Sequence, residues 1–150
     1  MFRTTKEMLD RVTSFHQELT KIYFQINAIH EKEKLDLVLE YMEQHKRRLQ
    51  ENLKLYEREA PEKIKNIWLK YISEEDLPEY CKNIRLTASM SVGEVIETSL
   101  KFDDCLITFY KKVVEKCPYA EVQNIFENLL NLAKRERLDI IKNDHEVFFV

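Results

Sequence analysis

The sequence predicts an all-α fold, a bundle of four long amphipathic helices arranged as two helical hairpins. Three observations carry that expectation: the scarcity of turn-forming residues, apolar residues recurring at gaps of three and four in four separate segments, and two capping boxes. Among 150 residues there is one glycine, Gly93, and three prolines, Pro61, Pro78 and Pro118. That is too few for the tight turns of a strand-rich fold. Charged residues make up 34% of the chain and hydrophobic ones 44%, which suits helices with one apolar stripe and a solvated back and excludes a disordered chain.

The first helix opens at Thr4-Thr5-Lys6-Glu7, where the Thr4 hydroxyl and the Glu7 carboxylate are placed to satisfy two orphan backbone N–H groups. Leu9, Val12, Leu19, Tyr23 and Ile26 then form one stripe, with His16 on it. The stripe fades over Asn27 to Lys34, where a short connection is expected to reverse the chain. The second helix carries Leu35, Val38, Met42, His45, Leu49, Asn52 and Tyr56, and ends near Ala60 because the residue before Pro61 is pushed out of the helical region. Residues 61–72 read as a short helix with Ile64, Ile67, Trp68 and Tyr71 on one face.

A long irregular crossover follows to Ser91. There Ser91-Val92-Gly93-Glu94, the second capping box, starts a stripe of Val92, Val95, Ile96, Ser99, Phe102, Leu106, Phe109, Tyr110 and Val113, which Pro118 ends. The fourth helix carries Val122, Ile125, Phe126, Leu129, Leu132, Ala133, Glu136 and Ile140, and is expected to fray at Asn143-Asp144-His145. The chain thus reads as one domain: a hairpin over 5–56, a crossover over 57–91, a hairpin over 92–142 and an apolar tail over 146–150.

An ungapped offset of 87 residues superposes the first hairpin on the second. Phe15 meets Phe102, Leu19 meets Leu106, Tyr23 meets Tyr110, Leu35 meets Val122, Val38 meets Ile125 and Met42 meets Leu129. Apolar residues face apolar ones nearly throughout, and three identities fall four residues apart on one helix.

Charge and cysteine content narrow the functional classes. The net charge of −3 arises from interspersed signs, which predicts no nucleic-acid or membrane partner. The densest basic run, Lys46-Arg47-Arg48, lies within a helical pattern and reads as solvated face. Cys81, Cys105 and Cys117 are odd in number and lack paired-ligand spacing, so three reduced, mostly buried thiols are expected rather than a disulfide framework or a zinc site. Without an apolar leader or a span of about 18 uncharged residues, the expected location is the cytoplasm.

Hairpin, crossover, hairpin, with an aromatic in the middle of the first and third helices, resembles the ferritin-like superfamily and within it the rubrerythrin-type bundles. The resemblance covers residues 5–56 and 92–142 and is strongest in Phe109-Tyr110 followed by Val122 to Leu132. It implies a glutamate on each of the first and third helices and Glu-x-x-His on the second and fourth, together holding two metal ions. Asp103 stands at the third-helix position and His16 at its first-helix counterpart. The paired motif falls on Ala133 and Glu136, or one turn on as Glu136-x-x-Asp139, and on Lys46 and Leu49, with His45 three residues after Met42. In no register is Glu-x-x-His intact.

Four ionisable residues nonetheless fall at one level of such a bundle. His16 and His45 lie at similar distances from the first reversal, Asp103 and Glu136 near one layer around the second. Two readings stand side by side. In one, Asp103 and Glu136 pair with histidine or Lys46 in a buried hydrogen-bonded network. In the other, His16, His45, Asp103 and Glu136 hold a single transition metal, iron, manganese or zinc. The corresponding functions are a non-catalytic bundle without a cofactor, which binds another protein or a second copy of itself through the tail, Trp68 and Tyr71, and a metal-binding oxidoreductase or metal-storage relative with an altered site.

Overall fold

The computed structural model describes residues 5–25, 29–59 and 77–148. Four α-helices contain most of them: α1 (Thr5–Gln25), α2 (Ile29–Glu59), α3 (Val92–Lys116) and α4 (Ala120–Phe148). A short 3-10 turn, Glu79–Lys82, precedes α3, and no strand occurs among the described residues. The all-α expectation holds at that level. The expected short helix over 61–72 and the capping residue Thr4 lie outside the described residues, as do the last two residues of the tail.

The sequence signals that hold are the ones with a local mechanism. Ser91 Oγ accepts from the backbone N–H of Glu94 at 3.2 Å while Glu94 Oε1 accepts from the N–H of Ser91 at 3.2 Å, so the capping box starts α3 where the pattern placed it. The helix stops at Cys117, whose N–H reaches back to the Val113 carbonyl before Pro118 breaks the ladder. Every member of the α3 stripe from Val95 to Val113 is buried.

Three expectations need correction. Helix α2 already includes Ile29, so the segment His30 to Lys34 is helical and is not a connection. Glu and Lys are strong helix formers, and Glu31 and Glu33 suit the positive N-terminal end of the helix, so no apolar residue is needed there. Helix α4 runs through Asn143-Asp144-His145 to Phe148; modest propensity at three residues does not end a helix that lacks a proline or a left-handed cap. Finally, Cys81 and Cys105 form a disulfide with Cα atoms 5.9 Å apart, leaving Cys117 as the buried free thiol.

Helix α1 packs on α2, α3 on α4, and α2 on α4, with α2 also touching α3. The core that these faces enclose includes Met8, Val12, Phe15 and Leu19 of α1, Leu35, Val38, Met42 and Leu49 of α2, and Val122, Phe126 and Leu129 of α4. Tyr41 meets Asp103, and His45 meets both Asp103 and Tyr110, so α2 and α3 advance in the same sense. Arg137 lies beside Leu100 and Asp103 while Phe126 lies beside Tyr110, so α4 runs opposite to α3.

The two halves meet at equivalent residues. The rings of Phe15 and Phe102 stack with centroids 4.2 Å apart and planes 9° apart. The Arg11 guanidinium lies 6.0 Å from the Phe15 centroid and 5.4 Å from that of Phe102, a cation against two aromatic faces.

Candidate functional site

The most concentrated polar chemistry lies between α2, α3 and α4. Asp103 is on the inward face of α3 with no exposed surface, and His45 on α2 is 3% exposed. A buried carboxylate survives only when its charge and lone pairs are met. Asp103 Oδ2 accepts from the Tyr41 hydroxyl at 2.6 Å and from Arg137 NH1 at 3.2 Å. Asp103 Oδ1 lies 2.9 Å from His45 Nδ1.

That last contact has ion-pair distance but not hydrogen-bond alignment, and neither atom has another hydrogen-bond partner. The two otherwise unsatisfied atoms face each other, so the imidazole N–H and the carboxylate attract across this gap. Because a carboxylate facing an arginine can only accept, the proton belongs on Nδ1, which leaves Nε2 to accept from the Tyr110 hydroxyl 2.9 Å away. The result is a chain of phenol, imidazole and carboxylate running through the core. Both phenols stay protonated, since burial, followed by the nearby negative charge of Asp103, pushes Tyr41 and Tyr110 far above the ordinary tyrosine range.

Arg137 closes the cluster from α4. Its NH1 donates to the Leu100 carbonyl at 3.0 Å as well as to Asp103, and its NH2 lies 2.9 Å from Asp104 Oδ1. Burial raises the Asp104 carboxyl above its usual value, and Arg137 opposes that rise. Glu136, the neighbouring residue, pairs with Arg48 of α2. Asp103 of α3 and Glu136 of α4 are thus each met by a guanidinium from another helix, Arg137 and Arg48.

The four residues singled out from the sequence divide into three places. His45 and Asp103 come together. Glu136 is held by Arg48, and His16 faces outward to Glu43, with Nε2 2.9 Å from Oε2. Among the described residues, no group of three or more His, Cys, Asp or Glu side chains is arranged to hold a metal ion. Lys46, expected as a possible partner for Asp103 or Glu136, instead lies 3.2 Å from Glu43. Asp139 has no described side chain. Tyr41 and Arg137 were not anticipated; Tyr41 sits one turn before His45 on the same face, which is the signal that could have found it.

The outer cluster gives a pH expectation. Burial and then Lys46 lower the His16 pKa below its ordinary 6.5, with Glu43 opposing. Folded protein thus binds that proton less readily than the unfolded chain, so this contribution is complete above pH 6.5 and is lost as pH falls below it. Urea titrations at successive pH values are expected to show His16→Gln flattening the loss of stability below pH 6.5; an unchanged slope would show that the site is not coupled to folding.

The described residues thus define an all-α four-helix protein with a buried carboxylate–imidazole–guanidinium cluster. Compared with known proteins, the chain matches no protein-family model, no curated protein and no solved structure. No helix among the described residues is long and apolar enough to cross a membrane.

Proposed function

We propose that the chain is a ferritin-like bundle in which protein cations and hydroxyls occupy the role of the metal ions, and that it acts as a non-catalytic binding or regulatory protein. The observation that carries this reading is the Asp103 carboxylate, which stands where the resemblance puts a ligand and is met by Arg137, Tyr41 and His45. A metal entering there would have to displace a guanidinium that also holds Asp104 and the Leu100 carbonyl. The equivalent positions are similarly engaged, His16 with Glu43 and Glu136 with Arg48.

The helix directions support the ferritin-like part of the reading. That α2 and α3 advance in the same sense agrees with a hairpin, crossover, hairpin order. The Phe15–Phe102 stack supports two related hairpins. For the binding role, Phe24 and Tyr80 are large exposed apolar side chains, Phe24 at 71%; Trp68, Tyr71 and the tail's side chains lie outside the described residues. A protein partner or a second copy remains the class of ligand proposed, with neither nucleic acid nor membrane.

Elemental analysis of protein purified without chelator tests the reading, with less than stoichiometric transition metal expected. A stoichiometric metal that disappears in His45→Ala would support the other reading, an altered oxidoreductase or storage site, which predicts iron-dependent consumption of oxygen or peroxide. The proposed location is the cytoplasm, and there the Cys81–Cys105 pair would be expected as thiols, because disulfides persist chiefly in oxidising compartments.

A further inference from the structure

We infer that residues 77–91 form a redox-released strap, held against α1 and α3 when the Cys81–Cys105 disulfide is closed and freed when it is reduced. The segment has little regular structure of its own: one four-residue 3-10 turn, Glu79–Lys82, and backbone hydrogen bonds from Cys81 to Pro78, Asn83 to Tyr80 and Met90 to Thr87. These three are local; hydrogen bonds tie the segment to α3 only at its end, where Ser91 caps the helix and Met90 Sδ accepts from the Thr98 hydroxyl at 4.0 Å. What fixes it is the disulfide to α3, the buried side chains of Leu77, Ile84 and Leu86, and Arg11 of α1 donating to the Ile84 carbonyl.

Leu77, Cys81, Ile84 and Leu86 join the edge of a core that the helices otherwise build from their own faces. The faces of α1, α2, α3 and α4 are buried against one another, and the Asp103 cluster draws every partner from α2, α3 and α4. A segment with few long-range attachments beside a well-packed core opens by itself when its strongest attachment is cut. The bond is that attachment, because it covalently closes a loop of sequence separation 24, whereas ahead of Met90 and the Ser91 cap the segment is otherwise held by the side chains of Leu77, Ile84 and Leu86 and by Arg11.

Reduction has a direction. Cys81 lies on the surface turn between the exposed residues Tyr80 and Lys82, while Cys105 is the more buried of the two, on α3. A thiolate of a dithiol reductant attacks Cys81 Sγ; the S–S bond breaks, and Cys105 departs as a thiolate that takes up a proton. The reductant's second thiol then attacks its own sulfur in the mixed disulfide and releases Cys81 as a thiol. Two electrons pass from the dithiol to the protein, the dithiol's two protons end on Cys81 and Cys105, and the reductant leaves as a cyclic disulfide. In a reducing compartment the strap is open, the side chains of Leu77, Ile84 and Leu86 leave the core, and Arg11 loses the Ile84 carbonyl.

Hydrogen–deuterium exchange read by mass spectrometry, on the full chain with and without dithiothreitol, tests this. The expected result is exchange in peptides covering 77–91 that rises on the order of a hundredfold on reduction, the scale set by the entropy of closing such a loop, with protection of the α1–α4 core retained. A Cys81→Ser variant, which leaves α3 untouched, is expected to match the reduced protein under both conditions. Strap protection that survives reduction would overturn the inference, and so would simultaneous loss of protection in the helices, which would make the bond a staple of the whole fold. Finding both cysteines open to alkylation in unreduced protein would overturn it as well.

Discussion

Replacing Asp103 with alanine is expected to destabilise the protein by about 3–5 kcal/mol, the usual cost of breaking a buried ion pair by removing one partner. The loss is large because the carboxylate is shared. Without it, Arg137 NH1 keeps only the Leu100 carbonyl, the Tyr41 hydroxyl loses its acceptor, and His45 Nδ1 faces an empty space where Oδ1 stood at 2.9 Å. Two buried polar groups, the Tyr41 hydroxyl and His45 Nδ1, would then lack partners, and each such group is costly. Asp103→Asn, which keeps an acceptor of the same shape but loses the charge, should fall between the two. Urea denaturation followed by circular dichroism measures both, and an Asp103→Ala loss below about 1 kcal/mol would mean that the cluster does not hold the helices together. Since small domains carry only about 5–15 kcal/mol in total, the alanine variant is expected to lie near the edge of folding.

Phe15→Ala is the second large expectation, at about 3–5 kcal/mol for deletion of a fully buried aromatic ring. Phe15 has no exposed surface and lies flat against Phe102, so the cavity would open on the line where the two hairpins meet and beneath Arg11. A double-mutant cycle with Phe102→Ala isolates the ring–ring contact from simple burial, with a coupling of about 0.5–1.5 kcal/mol expected. Additive losses would show that the two rings are merely neighbours in a common core. The cycle also bears on the internal repeat, because it measures the contact between a residue and its own counterpart.

How much of this was legible in the sequence depends on whether the signal was local. The α3 capping box and stripe are written in side chains that act within one or two turns, and both appear in the structure where the pattern put them. Helix ends without a proline were less legible: α2 begins earlier and α4 ends later than the stripes suggested, because periodicity reports a buried face and not the helix itself. The disulfide could not be read at all, since pairing depends on a Cα separation that only the folded chain supplies.

The polar cluster was half legible for a geometric reason. A rise of about 1.5 Å per residue gives the height of a side chain in a bundle, and height brought His16, His45, Asp103 and Glu136 to one layer. Direction around the helix then separates them. His45 and Asp103 point to the same seam, whereas His16 turns towards Glu43 and Glu136 towards Arg48. Arg137 was passed over because a charged residue beside Glu136 reads as surface; its long side chain instead carries the guanidinium inward while remaining 17% exposed.

The measurement that bears most directly on the central claim is nitrogen NMR of the His45 ring in protein labelled with nitrogen-15, followed through additions of iron(II), manganese(II) and zinc(II). Held between Asp103 and Tyr110, the ring is expected to show Nδ1 protonated and Nε2 as a hydrogen-bond acceptor, assigned by comparison with Tyr110→Phe, and its signals should not change as each metal is added. A stoichiometric shift or broadening of either His45 nitrogen with any of the three, at one metal per chain, would contradict the account and restore Asp103 and His45 as metal ligands.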